Sequence, residues 1–291
     1  MTTKLTSYVV ITPVRDEEQH LESTIQSMVQ QSVLPREWVI VNDGSKDGTR
    51  KIIEYYSSRY PWISAVHRQD RGFRKAGGGV VDAFNDGYRA LKCDDWEFVV
   101  KFDGDLVFES SYFENCFDEF HRDGKLGIGG GLICYIVDGK KSFEEAPKFH
   151  VRGATKIYRK ACWESIGGLL PAPGWDTMDE VKANFLGWTT RSFRHLHLVH
   201  ERVTGSADGL WRTLFKYGRA NYICGYHPLF MIGKCLARLA QKPYVLGSIG
   251  LIYGFVSGYL MRVPQFEDRA AIEYLRRQQI RMLLGRETIW R

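Results

Sequence analysis

Apolar residues follow two rhythms that alternate along the first hundred positions. Unbroken apolar runs, Tyr8-Val9-Val10-Ile11-Thr12-Pro13, Trp38-Val39-Ile40-Val41-Asn42 and Ile63 to His67, read as buried strands. Between them apolar positions recur every three or four residues: Leu21, Ile25, Met28 and Val29, then Ile52, Ile53 and Tyr56 after about Thr49. That is the spacing of amphipathic helices. Arg15-Asp16-Glu17-Glu18 reads as the opening turn of the first helix, where acidic side chains complement the helix dipole. Strand, helix, strand, helix, strand with short links predicts an α/β fold with a parallel sheet covered on both faces. A further run containing Phe98, Val99, Val100 and Phe102 adds a strand that stops at Asp103-Gly104-Asp105.

The pattern continues with helices carrying Val80, Val81, Phe84 and Tyr88, then Tyr112, Phe113, Cys116, Phe117 and Phe120. Strands are expected near Leu126 to Val137 and Phe149 to Tyr158, with Lys140-Lys141 in a loop between them. Gly174-Trp175-Asp176 opens another helix that ends at Leu186-Gly187-Trp188, and His195 to His200 reads as a strand. From Gly205 the pattern changes. Leu210 to Tyr222 is an aromatic, basic helix, and Leu229 to Leu239 carries Lys234 and Arg238 among apolar residues. Tyr244 to Met261 holds no charge at all between Lys242 and Arg262, and Arg269 to Arg286 is a charged helix. The expected organisation is a domain over 1–204 and a helical extension over 205–291.

Segment 244–261 approaches the length of about 20 residues that a membrane-crossing helix needs. Gly250, Gly254 and Gly258, with Gly247 near the same face, form a small-residue stripe that admits a second helix closely. Basic residues at both ends give no orientation, which suits attachment to a membrane surface better than one crossing. Leu229 to Leu239 is expected beside it, with Lys234 and Arg238 reaching headgroups. The alternative is a soluble helical hairpin packed on the domain.

Composition narrows the partners. The 291 residues are 44% hydrophobic, enough to bury a full core, and the formal charge is +6. That mild basicity fits phosphate-bearing ligands or an anionic membrane surface, and is too weak to argue for nucleic acid. The six cysteines form no CxxC pair and read as reduced thiols. Met1 to Ser7 is short and polar without a secretory apolar region, so a cytoplasmic location is expected, at the inner face of the cell membrane.

Two stretches carry chemistry. Asp103 and Asp105 present carboxylates at a strand end, where ligands bind in open α/β sheets, and hard oxygen ligands suit a divalent cation. Arg68 to Gly79 carries Arg68, Arg71, Arg74 and Lys75 and ends in three glycines before a helix. This is either a diphosphate site or a surface loop whose charges are solvated. No G-x-x-x-x-G-K-[ST] or strand-linked G-x-G-x-x-G pattern is present.

Residues 8 to about 204 resemble a family-2 glycosyltransferase of the GT-A fold. The resemblance rests on the Val9 to Glu17 opening, on Asp43-Gly44-Ser45-Lys46-Asp47-Gly48-Thr49, on Phe102-Asp103-Gly104-Asp105, and on an acidic loop and helix near Asp176. Cys162 to Leu169 also resembles the family's helix and Gly-Gly turn below the acceptor site. The resemblance implies an inverting enzyme with a nucleotide-sugar donor and Mg2+ or Mn2+. It implies that Pro13, Val14, Arg15 and Glu17 line the base site and that Asp43 contacts the nucleoside. Asp103 would serve the ribose or a metal-bound water, Asp105 would be the better metal ligand, and His200 is a further candidate ligand. Counting back from Gly187-Trp188 puts the family's catalytic Asp on Asp176, with Trp175 where a Glu is usual; Asp179-Glu180 is the alternative pair, with Asp179 as base, if the helix starts one turn later.

The expected function is transfer of a sugar to a lipid-linked or growing glycan acceptor in cell-surface polysaccharide or glycolipid synthesis. The expected partners are the donor, that acceptor, a membrane surface and a possible second copy of the chain. Two alternatives stay open: a polyprenyl-phosphate sugar synthase, whose anionic acceptor needs little base help, and a non-catalytic nucleotide-sugar-binding protein, suggested by Trp175.

Overall fold

The parallel strands at the centre of the sheet are the apolar runs of the sequence, because strands buried on both faces need no polar alternation. The computed structural model describes residues 6–73, 77–137, 139–143, 146–201, 209–239 and 244–290. Strands β1 (Tyr8–Val14), β2 (Glu37–Asn42), β3 (Ile63–His67) and β4 (Phe98–Phe102) pair in parallel in the order β3-β2-β1-β4. Helices α1 (Leu21–Val29), α2 (Thr49–Arg59) and α3 (Gly78–Ala90) join them. Beyond β4 come β5 (Leu106–Phe108), α4 (Tyr112–Arg122), β6 (Leu126–Val137), β7 (Lys140–Phe143), β8 (Thr155–Arg159), α5 (Lys160–Ile166), α6 (Trp175–Phe185) and β9 (Thr189–His200). The sheet continues past β4 as β8-β6-β9-β5, with β8 antiparallel to β4 and β6 parallel to β9.

Alternate residues of each central strand feed different cores. Tyr8 and Val10 pack with Leu21, Ile25, Trp38, Phe113 and Phe117 on one face. Val9 and Ile11 pack with Val39, Phe84, Tyr158, Trp163 and Trp175 on the other. Each such fully buried apolar side chain contributes about 1.5–3 kcal/mol.

The structure departs from the sequence reading in five places. β5 is not among the expected strands, and β9 begins at Thr189 rather than at His195. The first helix starts at Leu21, so Asp16 to Glu18 form a turn before it rather than its first turn. Lys140 and Lys141 belong to β7, an exposed edge strand paired with the end of β6. Phe149 to Ala154 is not strand: a turn closed by the Thr155 amide donating to the Arg152 carbonyl at 3.1 Å precedes β8.

The chain then forms α7 (Leu210–Ile223), α8 (Pro228–Arg238), α9 (Tyr244–Leu260) and α10 (Arg269–Leu283). Among the described residues no helix is long and apolar enough to cross a membrane. The glycine stripe of α9 faces α7. A Cβ at Gly254 would sit 2.1 Å from the Phe215 carbonyl oxygen, and one at Gly218 of α7 would sit 2.0 Å from that of Leu251. The expected neighbour α8 also lies against α9, where the Ser248 hydroxyl donates to the Cys235 carbonyl at 2.8 Å. A third core joins Met178 and Val181 of α6 to Tyr222, Phe230, Phe255, Ile272 and Leu275, so α6 packs both on the sheet and on the extension.

Candidate active site

Two sequence motifs far apart in the chain are stitched together beyond β1 and β2. The amides of Asp16, Glu17 and Glu18 donate to Ser45 Oγ (3.0 Å), Thr49 Oγ1 (2.8 Å) and Asp47 Oδ2 (3.0 Å), and the Lys46 amide donates back to Asp16 Oδ1 (2.8 Å). Ser45, Asp47 and Thr49 therefore satisfy the backbone of the turn that begins α1, leaving Asp43 to face the open end of the sheet. Burial works against ionisation of Asp47, but hydrogen bonds from Thr49 and Glu18 outweigh it and hold its carboxyl below the ordinary value.

Asp43 is nearly buried, and its carboxylate is clamped by Arg68 (2.6 Å) and by Arg71, which reaches both oxygens. Arg15 bridges the Asp43 carbonyl (3.1 Å) and Asp70 (2.6 Å). Pro13 and Val14 close the end of β1, and Glu17 is buried behind them. Thus Pro13, Val14, Arg15, Glu17 and Asp43 are brought to one sheet end, joined by two arginines of the basic loop. Arg74 and Lys75 lie outside the described residues.

The end of β4 lies beside this group. Gly104 permits the approach: a Cβ there would meet Val14 Cγ1 at 2.5 Å. Asp105 is buried and its Oδ2 lies 3.0 Å from His200 Nε2, because β9 pairs His200 opposite Leu106. Asp103 is more open and pairs with the buried ammonium of Lys101. A carboxylate and an imidazole held together supply hard oxygen and nitrogen donors that fit Mg2+ or Mn2+. Among the described residues, however, no three His, Cys, Asp or Glu side chains converge as a ready-made cation cage. Asp105 and His200 are the two donors held together there, and Asp103 is engaged by Lys101.

The remaining group is built on α6. Gly174 precedes it with φ +86°, and a Cβ there would strike Cys224 Sγ at 2.3 Å, so only glycine seats the helix start against α7. Trp175 is buried beneath the ammonium groups of Lys101 and Lys156, 5.7 and 5.6 Å from its ring. Lys156 is fully buried and bonds both Asp179 oxygens (2.7 and 2.9 Å), Glu180 (3.0 Å) and the Asp176 carbonyl. Tyr158 also donates to Asp179, and His150 lies 2.8 Å from Glu180.

Electrostatics separates the two aspartates. Burial would raise the Asp176 pKa, but the charges of His150, Lys156 and Arg152 outweigh it and bring it below the ordinary value. Burial pushes Asp179 up against the pull of Lys156, to about 6. Burial disfavours the His150 cation, and Glu180 more than offsets this and raises its pKa. Asp176 lines a cavity of about 980 Å3 between α6, the turn before β8, and α7, α8 and α10. Asp179 is locked behind it in the ion pair.

The sequence pattern of glycosyl transferase family 2 matches residues 9–167. The chain belongs to that family. Among curated proteins, this family-2 chain is 31% identical over 123 residues to the uncharacterized glycosyltransferase EpsJ of Bacillus subtilis, covering 42% of the chain and 33% of EpsJ. It is 27% identical over 136 residues to the cholesterol galactosyltransferase of Borreliella burgdorferi, covering 46% and 35%. The chain thus matches about a third of the length of these relatives. Among solved structures, the mannosyltransferase PcManGT of Pyrobaculum calidifontis, in complex with GDP-Man and Mn2+, superposes with a TM-score of 0.57 at 14% identity, covering 96% of this chain and 88% of that one. TarS 1-349 of S. aureus gives 0.54 at 14% identity, covering 97% and 92%. These likenesses show the GT-A fold.

Several groups at this site of the family-2 chain carry no sequence signal. Lys156, Tyr158 and His150 belong to no short motif, and the cavity joins segments more than sixty residues apart. A lysine inside a strand, Lys156 in Thr155–Arg159, is the one trace that sequence reading offers.

Proposed function

We propose that the chain is an inverting glycosyltransferase that moves a sugar from a nucleotide diphosphate to a hydroxyl of a lipid-linked or growing glycan acceptor. The observation that carries this reading is Asp176, an ionised carboxylate on the wall of a large cavity, whose neighbour Trp175 packs against Lys101, the partner of Asp103 at the sheet end. The nucleoside lies against Pro13, Val14 and Asp43, and its phosphates meet the arginines of the 68–73 loop. The acceptor hydroxyl enters from the cavity and gives its proton to Asp176 as its oxygen attacks the sugar carbon in line with the departing diphosphate. Asp105, His200 and Asp103 would hold Mg2+ or Mn2+, which when bound would neutralise charge on the leaving group. The donor classes follow by analogy: PcManGT was solved with GDP-Man and Mn2+, and TarS with UDP.

A membrane-surface location is part of the reading. Residues 209–266 contain seven Lys and Arg and no Asp or Glu. Leu229, Ile232 and Leu236 of α8 and Val245, Leu246, Ile249 and Tyr253 of α9 are exposed. An apolar face within a purely basic segment suits anionic headgroups above a hydrocarbon boundary. Attachment predicts co-flotation with anionic vesicles, weakened by Leu236→Glu.

The test of the donor site is a thermal-shift panel of UDP, GDP and their sugars with and without Mn2+. A ligand at 100 times its Kd stabilises the native chain by about 2.7 kcal/mol. Mn2+ should strengthen the shift in the natural chain and not in Asp105→Asn. An equal Mn2+ effect in Asp105→Asn overturns the metal assignment, and no shift with any nucleotide overturns the donor reading.

A further inference from the structure

The cavity beside Asp176 is built of two unlike materials. Phe149, Leu214, Phe230, Leu251, Met282 and Trp290 give it apolar walls. Among the described residues its charged lining is one-sided: Arg152, Lys216, Lys234 and Arg238 against a single carboxylate, Asp176. At about 980 Å3 it stands at the upper end of the roughly 300–1,000 Å3 usual for small-molecule sites. Two lining donors are out of place in a finished interior. Asn221 Nδ2 and Arg238 Nε are buried and have no hydrogen-bond partner among the described residues. Buried donors are almost always satisfied, so two of them on one cavity wall mark a place where an acceptor group is expected. Lys234 lies on the same helix as Arg238, one turn earlier, with its ammonium 5.3 Å from the Tyr226 ring.

We propose that this cavity binds the phosphate of a lipid phosphate that carries the acceptor, with Arg238, Asn221 and Lys234 as the phosphate cradle. The inference rests on the glycosyltransferase reading above and names the acceptor class for it. A guanidinium Nε–H, an amide N–H and an ammonium donate and cannot accept, so together they match the acceptor oxygens of a phosphate better than sugar hydroxyls, which must also place a proton. The apolar lining takes the first carbons of the chain. Tyr217 and Leu283 line the cavity and are each 47% exposed, so the cavity reaches the surface between apolar side chains. The exposed face of α8 continues from there. The cradle belongs to α7 and α8 and the base to α6, so phosphate and reacting hydroxyl occupy different walls of one site.

The experiment measures binding without any donor. Farnesyl phosphate, kept below its micelle concentration, is titrated into the full chain by calorimetry, alongside farnesol and inorganic phosphate. Farnesyl phosphate should bind at least about tenfold more tightly than either fragment, and Arg238→Gln and Asn221→Ala should each weaken it about tenfold, as expected for a charge-assisted hydrogen bond. Arg238→Lys, which keeps the charge, should recover part of the loss. The same variants should keep the thermal shift given by a nucleoside diphosphate with Mn2+, which shows that they are folded. Equal affinity for farnesol and farnesyl phosphate overturns the proposal, as does undiminished binding in Arg238→Gln. Phosphate alone binding as tightly as farnesyl phosphate makes this an inorganic-anion site and also overturns it. Nucleotide binding without farnesyl phosphate binding sinks the acceptor inference alone; absence of nucleotide binding sinks the donor reading beneath it.

Discussion

Lys156→Met tests the charge arrangement behind the base. Methionine approximates the length of lysine and removes its charge, leaving the Asp179 carboxylate buried without a countercharge, held only by the Tyr158 hydroxyl and the Glu180 amide, and deleting the bond to the Asp176 carbonyl. Glu180 keeps His150 at 2.8 Å and the Val151 amide at 2.6 Å, so one stranded carboxylate is to be counted rather than two. Breaking a buried pair on one side costs about 3–5 kcal/mol, and the protection of Glu180 puts this case near about 3 kcal/mol. With roughly 2–4 °C per kcal/mol for a chain of this size, Tm should fall by about 6–12 °C at pH 8. The cost depends on pH with a definite sign. Asp179 in the folded chain titrates near 6, above its ordinary 3.8, so the stability linked to its proton is present below 3.8 and lost as pH rises through about 6. Without Lys156 that pKa climbs further, and the gap between variant and parent opens above pH 6. At pH 5 both chains carry a protonated Asp179, and the deficit shrinks to about 1 kcal/mol of lost hydrogen bonding. Thermal melts of both proteins from pH 5 to 8 measure it. A deficit that is constant over this range, or smaller at pH 8 than at pH 5, refutes the buried ion pair.

The two aspartates of α6 should separate in kinetics. Asp176→Asn should lower kcat by roughly 10²–10⁴ with donor affinity retained and Tm little changed; if Asp179→Asn does this and Asp176→Asn does not, the base lies one turn further along the helix. Gly104→Ala places a Cβ 2.5 Å from Val14 Cγ1, and overpacking of that kind costs about 1–3 kcal/mol. It should also weaken nucleotide affinity by displacing Asp103 and Asp105, and a variant with unchanged Tm and affinity would show that the two strand ends need not touch.

The parts of the fold that were legible are those whose residues report on their own neighbourhood. β1, β2 and β4 announce themselves because both faces are covered, so most of their positions are apolar. β7 escapes for the opposite reason: Lys140 to Phe143 are all exposed, and their strand conformation comes from pairing with β6. The acidic residues 16–18 imitate a helical turn in the sequence, yet their amides are taken by Ser45, Asp47 and Thr49, a competition no local pattern records. Asp105 and His200 are 95 positions apart and meet only because β5 and β9 pair in that register. Arg238 stands out in the sequence only as a candidate for headgroups, yet its Nε is buried, and Asn221 stands out for nothing, since a cavity is defined by what its several walls leave unfilled.

The contact between α7 and α9 has a consequence for how this chain can drift. Where Gly218 meets the Leu251 carbonyl and Gly254 meets that of Phe215, main chain lies on main chain and no side chain is left to rotate out of the way. An ordinary helix interface absorbs change by exchanging one large residue for another across the seam. This one has nothing to exchange, since even alanine at Gly218 or Gly254 would push a Cβ into a carbonyl oxygen. The inner seam is therefore frozen while the outward positions, such as Val245, Ile249 and Tyr253, are free to interchange among apolar types. Variation among descendants of this sequence should fall on the outside of the helix pair, and the spacing of its inner glycines should serve as the signature by which the extension is traced.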